Sequence, residues 1–470
     1  MTHDAALPST ARPGSSRLAW FLAWLSFWPI ALLRAGQLSE SDTFWEIRAG
    51  QLTFAAQALP QVDTLSWTAN GQPWLLNSWG FNLALAAVDA LGALPLVALF
   101  GAGLSAAVVA VALAGARHLG AHPLPSAAVV AIAGALLLGA FSVRPQLVDY
   151  LAAPALVALL RPITTGARPW RWVWAATGLS VVWANLHSAA LLGVAIAGAT
   201  AAAMLLVPGA RRRTVPLIVA TVGIGLATLA TPYGVQIYLH ALTVHQESSG
   251  LVREWAAFSP SDPLAVLMLL TGLAALVVAW RRREWGYLAA LAVTAVGSVL
   301  AVRFLPILTV LAIAPLAAAA SHRRILDYGR SRRPITVIAT SAWLVTICIF
   351  SAPSLTHLGR ADPSIFPSLH TIAELSPGCR VVNTYEVGGY LSYRRPDILV
   401  SIDSRNDLYG AEAVKASADL VDATGDVDGG LAGAECALLP LDSALAARLT
   451  SDPGWRLVTR DDISVLLVRT

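Results

Sequence analysis

The chain has 470 residues, 56% of them hydrophobic and only 13% charged, with a net charge of +4 and a mean hydropathy of +0.63. An ordinary soluble domain carries roughly 25% charged residues, and one water-soluble core cannot enclose this much apolar surface. The composition excludes a soluble enzyme and a disordered chain, and so small a net charge gives no ground for a nucleic-acid partner.

What remains is a polytopic α-helical membrane protein. Residues 1–17, with Asp4, Pro8 and Pro13, read as a disordered cytoplasmic leader. Apolar runs able to cross a bilayer follow at 18–37, 94–116, 124–143, 146–160, 172–187, 189–207, 215–230, 263–280, 285–302, 304–320 and 335–352. The first is longer than the h-region of a signal peptide and reads as an uncleaved anchor. The run 146–160 is short and holds Asp149. Residues 76–92, interrupted by Asn77, Asn82 and Asp89, read as a helix lying at the interface.

Arginine placement orients these about eleven transmembrane helices. With the N-terminus inside, 17 arginines fall on inside segments, including the turns 211–213, 281–283 and 330–333. Only Arg34, Arg48, Arg144, Arg253 and Arg303 fall on outside loops before the tail. The transmembrane part then spans 18–352, with a first outer loop at 38–93 and an extracytoplasmic tail at 353–470.

That first outer loop holds Glu40-Ser-Asp42, Glu46, Arg48, Asp63 and the tryptophans Trp45, Trp67, Trp74 and Trp79. Residues 44–56 form an amphipathic pattern, with Phe44, Ile47 and Leu52 on an apolar face suited to the headgroup plane. One residue separates Glu40 from Asp42, so an extended backbone turns both carboxylates to one side. Such a pair can hold a divalent cation, Mg or Mn, through oxygen ligands. Equally, one carboxylate can serve as a general base, or Asp42 can cap the helix that follows.

Other polar residues stand at the outer mouths of spans. They include Arg144-Pro-Gln146 with Asp149, Trp183-Ala-Asn-Leu-His187, Tyr233, His240, His245, Glu247, Arg253-Glu254-Trp255 and Arg303. Ionisable groups at membrane depth are costly and usually functional. Arg144, Arg253 and Arg303 suit bidentate capture of a lipid phosphate, or snorkel to headgroups. His187 reads either as a substrate contact or as a satisfied buried histidine.

In the tail, apolar runs shrink to strand length at 380–383, 398–402, 436–440, 455–458 and 463–468, with helical patterns near 388–394, 411–422 and 441–450. This predicts a small C-terminal α/β domain that can end in an antiparallel hairpin turning at Asp461-Asp462. Cys379 and Cys436 each precede a strand and can form one bridge if the tail lies outside the cytoplasm. Cys348 reads as packing. Gly388-Gly389 would allow a close backbone approach at a strand-to-helix turn. Asp403 and Arg405 lie at the carboxyl end of the second strand, where they can bind a sugar acceptor or close a loop as an internal salt bridge.

The runs Ser41-Asp-Thr-Phe-Trp-Glu-Ile-Arg-Ala-Gly-Gln51, Leu59 to Thr68, Gly71-Gln-Pro-Trp74 and Asn77-Ser-Trp79 resemble the first outer loop of a group of bacterial integral-membrane proteins related to the GT-C glycosyltransferases. Arg144-Pro-Gln-Leu147, Trp183 to His187, Thr231-Pro-Tyr-Gly234, Gly388-Gly-Tyr-Leu391, Ile402-Asp-Ser-Arg405 and Trp455 extend the likeness over nearly the whole chain. The resemblance implies a bacterial plasma-membrane enzyme that transfers a sugar from a polyprenyl-phosphate donor to a glycan or lipid acceptor of the cell envelope. It implies an acidic motif in the first outer loop, here Glu40 and Asp42, and leaves open which of the two is catalytic; with Asp42 as base, direct displacement inverts the anomeric centre. Arg144, Arg253 and Arg303 would bind the donor phosphate. Asp63, Trp45, His187, Tyr233, Asp403 and Arg405 would line the sugar or acceptor. Membrane lipids are the surrounding partners. A non-catalytic scaffold of envelope assembly and a lipid-linked saccharide transporter are the alternatives, although span middles made of Ala, Leu, Val and Gly offer a transporter no polar path.

Overall fold

The computed structural model describes residues 17–167, 169–240, 242, 253–321, 349 and 352–470. Expected features on residues 1–16, Arg168, His245, Glu247, the inside arginines at 323–333, Cys348 and nearly all of the run 335–352 lie outside the described residues, as does the side chain of Arg253.

Helices stand at the other ten apolar runs. The first is broken into α1 (Arg17–Leu25) and α2 (Trp28–Gly36) where Pro29 opens the second segment. A short strand, β1 (Gln37–Leu38), leads into α3 (Ser41–Ala56). Then comes α4 (Trp79–His118), which joins the expected interfacial helix to the next span across a kink. Gly92 and Ala93 have non-helical backbone there, and Pro95 falls in the first turn of the segment that follows, where a proline is tolerated. The bundle continues with α5 (Pro123–Leu136), α6 (Gln146–Thr165), α7 (Pro169–Leu186), α8 (Leu191–Leu205), α9 (Arg211–Thr228), α10 (Pro263–Arg282), α11 (Trp285–Leu300) and α12 (Leu305–Ala320).

Among the described residues, six stretches are long and apolar enough to cross a membrane: Arg17–Gly36, Trp79–His118, Gln146–Thr165, Ser188–Leu205, Pro263–Arg282 and Val302–Ala320. The chain is a membrane protein. The short run 146–160 proves to be the core of a 20-residue helix that is buried along much of its length.

The tail adds β2 (Arg360–Ala361), α13 (Leu369–Ala373), β3 (Arg380–Asn383), α14 (Tyr385–Arg394), β4 (Leu399–Val400), α15 (Asn406–Val421), α16 (Val427–Gly430), β5 (Cys436–Pro440), α17 (Ala444–Ser451), β6 (Trp455–Arg460) and β7 (Ser464–Arg469). Its five-stranded sheet runs β4-β3-β5-β7-β6. The first three strands are parallel, and β6 and β7 form an antiparallel hairpin. Cys379 and Cys436 are joined by a disulfide with a Cα–Cα distance of 6.2 Å.

The tail and the first loop form one body at one end of the bundle. β1 pairs in parallel with β2, and Ser66 bridges to Val400 beside the sheet edge. Phe44 packs edge-on against Phe366 and Tyr390, with centroids 5.1 and 4.9 Å away. The pair Gly388-Gly389 explains the intimacy of this contact. A Cβ on Gly389 would fall 2.6 Å from the Ser41 carbonyl oxygen, and one on Gly388 would run into the Ile402 carbonyl. The close approach expected of these glycines is therefore made to protein backbone. It also corrects the picture of 44–56 as a helix lying in the headgroup plane. α3 is covered by α4 on one side and by α14 on another, and Thr43, Phe44, Trp45, Glu46, Ile47, Ala49, Gly50 and Thr53 are all buried.

Candidate functional site

The polar residues singled out in the sequence separate into three groups. One is a partly open cluster at the start of α3. Asp42 lies in the first turn, just inside the N-cap position, which Glu40 occupies without a side-chain capping bond. Asp42 Oδ2 meets Arg144 Nη2 at 2.7 Å. Its Oδ1 accepts from Ser404 Oγ at 2.5 Å and from Trp45 Nε1 at 3.3 Å. Arg144 reaches the pair because Thr43 Oγ1 donates to the Val143 carbonyl at 2.8 Å, pinning that loop to α3. The same guanidinium donates from Nη1 to Glu254 Oε1 at 2.5 Å. Arg144 thus holds two carboxylates, while its Nε is buried without a partner.

The electrostatics follow. Burial disfavours the Arg144 charge, but Asp42, Glu254 and Glu40 outweigh it and raise its pKa. Burial alone would raise the Glu254 carboxyl. Arg144, followed by Arg303 and His187, instead holds it below the usual carboxylate range. Arg303 stacks on the Trp255 ring at 4.0 Å from its centroid.

Glu40 does not join Asp42. It pairs with Arg34 at 2.5 Å. The two carboxylates have different arginine partners, and no group of three or more His, Cys, Asp or Glu side chains suited to a metal exists among the described residues. The expected cation site therefore does not fit this arrangement, and no step is derived through a metal.

The acid that does lie beside Asp42 is Glu46, one helical turn on. It is buried, its Oε2 has no partner, and burial followed by the charge of Asp42 raises its carboxyl well above the usual range against the pull of Arg144. That favours the neutral acid. Glu46 was missed as a site residue because an acid in an amphipathic pattern reads as solvated. The four-residue spacing from Asp42 was the available signal. Ser404 was missed as well, and its 362-residue separation from Asp42 leaves no local signal.

A second group is closed. Arg405 bonds Asp403 through Nε and Nη2 at 2.8 and 2.7 Å, bonds Asp63 through Nη1 at 2.6 Å, and lies 4.5 Å from the Trp74 ring centroid. All three ionic side chains are 0% exposed. Asp63 also accepts from Ser66 Oγ at 2.6 Å. This corrects their expected contact with an acceptor: burial leaves none of the three a free face, and the group locks the first loop to the tail.

A third group is internal to the bundle end. Asp149 on α6 accepts from Trp183 Nε1 at 2.7 Å and meets His187 Nδ1 at 2.8 Å. His187 is buried there. Asn185 receives Trp79 Nε1 at 3.2 Å and donates to the Ala230 carbonyl at 2.8 Å. Tyr233 accepts from the Leu76 amide at 3.3 Å. Trp45, with its indole N–H shared between Asp42 and Ser404, is the one of the expected sugar-lining residues that sits in the open cluster.

The tail also has a cleft of about 540 Å³ at the carboxyl ends of β3 and β5, lined by Thr384, Glu386, Asp442, Asp462 and Ser464 among others. Its described lining carries acids and no cation, so a phosphate is not suited to it.

No family model matches the chain, and no curated protein is similar to it in sequence. Among solved structures it is similar to the crystal structure of ArnT from Cupriavidus metallidurans bound to undecaprenyl phosphate, with a TM-score of 0.56 and 15% identity, over 96% of this chain and 97% of that one. The likeness is one of fold.

Proposed function

We propose that this protein is a membrane glycosyltransferase that moves a sugar from a polyprenyl-phosphate donor to an acceptor of the bacterial cell envelope. The observation that carries the reading is the Asp42–Arg144 pair, a carboxylate and a guanidinium 2.7 Å apart in a partly open cluster. Asp42 takes the proton of an acceptor hydroxyl. The freed oxygen bonds to the anomeric carbon, and the bond from that carbon to the phosphate oxygen breaks with its electron pair. Polyprenyl phosphate leaves, and the anomeric centre inverts. A phosphate leaves without a strong general acid, so one carboxylate suffices. Arg144 and Arg303 stabilise the charge that gathers on the leaving phosphate, and Trp45 borders the sugar.

In this reading the site faces the outside of the plasma membrane, with a cytoplasmic N-terminus, a transmembrane part at 18–352 and an extracytoplasmic tail at 353–470. The arginine-poor loops on that side support the orientation, and so does the Cys379–Cys436 disulfide. ArnT, similar in fold, was crystallised with undecaprenyl phosphate.

The test is sugar transfer by purified protein in liposomes, with radiolabelled polyprenyl-phosphate sugars and an envelope acceptor. Wild type should transfer, and Asp42→Asn at matched folded yield should lose about 10²–10⁴-fold. Equal rates in both would remove Asp42 from the chemistry. No transfer by wild type across the donor panel would favour the scaffold.

A further inference from the structure

We infer that Glu254 is an intramolecular stand-in for phosphate, seated on Arg144 and displaced when a phosphate-bearing ligand binds. The inference rests on the proposed function for the identity of the ligand, but its geometry stands separately.

A carboxylate held by two guanidinium nitrogens is the shape in which arginine also grips a phosphate. Glu254 takes that seat unevenly, with Oε1 close at 2.5 Å from Nη1 and Oε2 loose at 3.5 Å from Nη2 of Arg144. Arg144, Arg303 and His187 all act on its charge. Two carboxylates, Asp42 and Glu254, already sit on the one guanidinium of Arg144. A phosphate added to this set would bring uncompensated negative charge into a mostly buried place. A phosphate exchanged for Glu254 would not.

Of the two carboxylates on Arg144, Glu254 is the one built to leave. Asp42 sits on a 16-residue helix and is held by Ser404 and Trp45 besides Arg144. Glu254 sits on a three-residue turn, Arg253–Trp255. Its side chain is 40% exposed against 18% for Asp42 and Arg144, and Arg144 is the partner its carboxylate bonds. The Arg144 Nε, buried and unpartnered, leaves the guanidinium with one donor unused. Because a ligand that must first displace Glu254 binds with its affinity reduced by the open fraction, neutralising Glu254 should tighten phosphate binding.

The experiment measures binding to the full chain in nanodiscs with two probes, a polyprenyl phosphate and inorganic phosphate. Wild type, Glu254→Gln, Arg144→Gln and the double variant are compared. Glu254→Gln keeps the side-chain shape and should bind at least one probe about tenfold or more tightly. Arg144→Gln should abolish that gain. A gain for both probes locates the effect in the phosphate itself. A gain for inorganic phosphate with no lipid binding by any variant would uphold the stand-in and sink the lipid-donor reading. Unchanged or weaker binding of both probes by Glu254→Gln would overturn the inference. So would a gain that persists in the double variant.

Discussion

Two arginines in this protein each hold two carboxylates, and they have opposite characters. Arg405 lies between Asp63 and Asp403 with all three side chains 0% exposed. Arg144 lies between Asp42 and Glu254, partly open, with one nitrogen unused. The charge pattern is the same in both, so charge alone does not mark the site. What differs is access and unused bonding capacity. A closed set with its donors used and a tryptophan beneath it fixes geometry. A set at the rim with one loosely held acid can exchange a partner.

Breaking the closed set should have the largest effect on stability. Arg405→Leu leaves Asp63 and Asp403 buried without a counter-charge, a change that typically costs about 3–5 kcal/mol. Thermal or denaturant unfolding in detergent would register it, with release of the tail from the first loop. A loss below about 1 kcal/mol would contradict the lock. The disulfide comes next, since it closes a loop across 57 residues of sequence. Replacing Cys379 and Cys436 by serine should cost about 2–4 kcal/mol, read in the same unfolding curves.

Glu46 sharpens the comparison through pH. Its carboxyl is raised in the folded state. The native protein therefore binds more protons than the unfolded chain between the two pKa values, and stability contributed by the neutral form falls as pH rises through that window. Glu46→Gln should remove this decline, which unfolding midpoints across a pH series would reveal. Identical slopes in wild type and variant would mean that Glu46 is already ionised. The smallest effect belongs to the exposed pair Arg380–Glu435, with side chains 45% and 50% exposed. Glu435→Gln should shift stability by less than about 1 kcal/mol.

These contrasts also show which parts of the molecule were open to reading from sequence. The apolar helices of the described residues were legible because long apolar runs announce them, and six of these stretches are long and apolar enough to cross a membrane. The tail strands at 380–383 and 436–440 coincide with the observed β3 and β5 because short apolar runs between helical patterns leave few other solutions. The pairing of Asp403 with Arg405 was foreseen as one of two readings, but their partner Asp63 lies 342 residues from Arg405, and no local pattern announces it. Glu40 and Asp42 looked paired because they are neighbours on an extended backbone. The chain turns helical at Ser41, which carries Asp42 to Arg144 and leaves Glu40 with Arg34. Asp149, an awkward acid in a short span, is resolved by Trp183 and His187 one helix away.

The most direct test of the central claim, that the exchangeable cluster carries the chemistry, is a double-mutant cycle in the transfer assay with Asp42→Asn, Arg144→Gln and both together. Groups acting as one unit lose activity non-additively. The account predicts that each single variant falls nearly as far as the double. Additive losses, or transfer that survives all three variants, would contradict it.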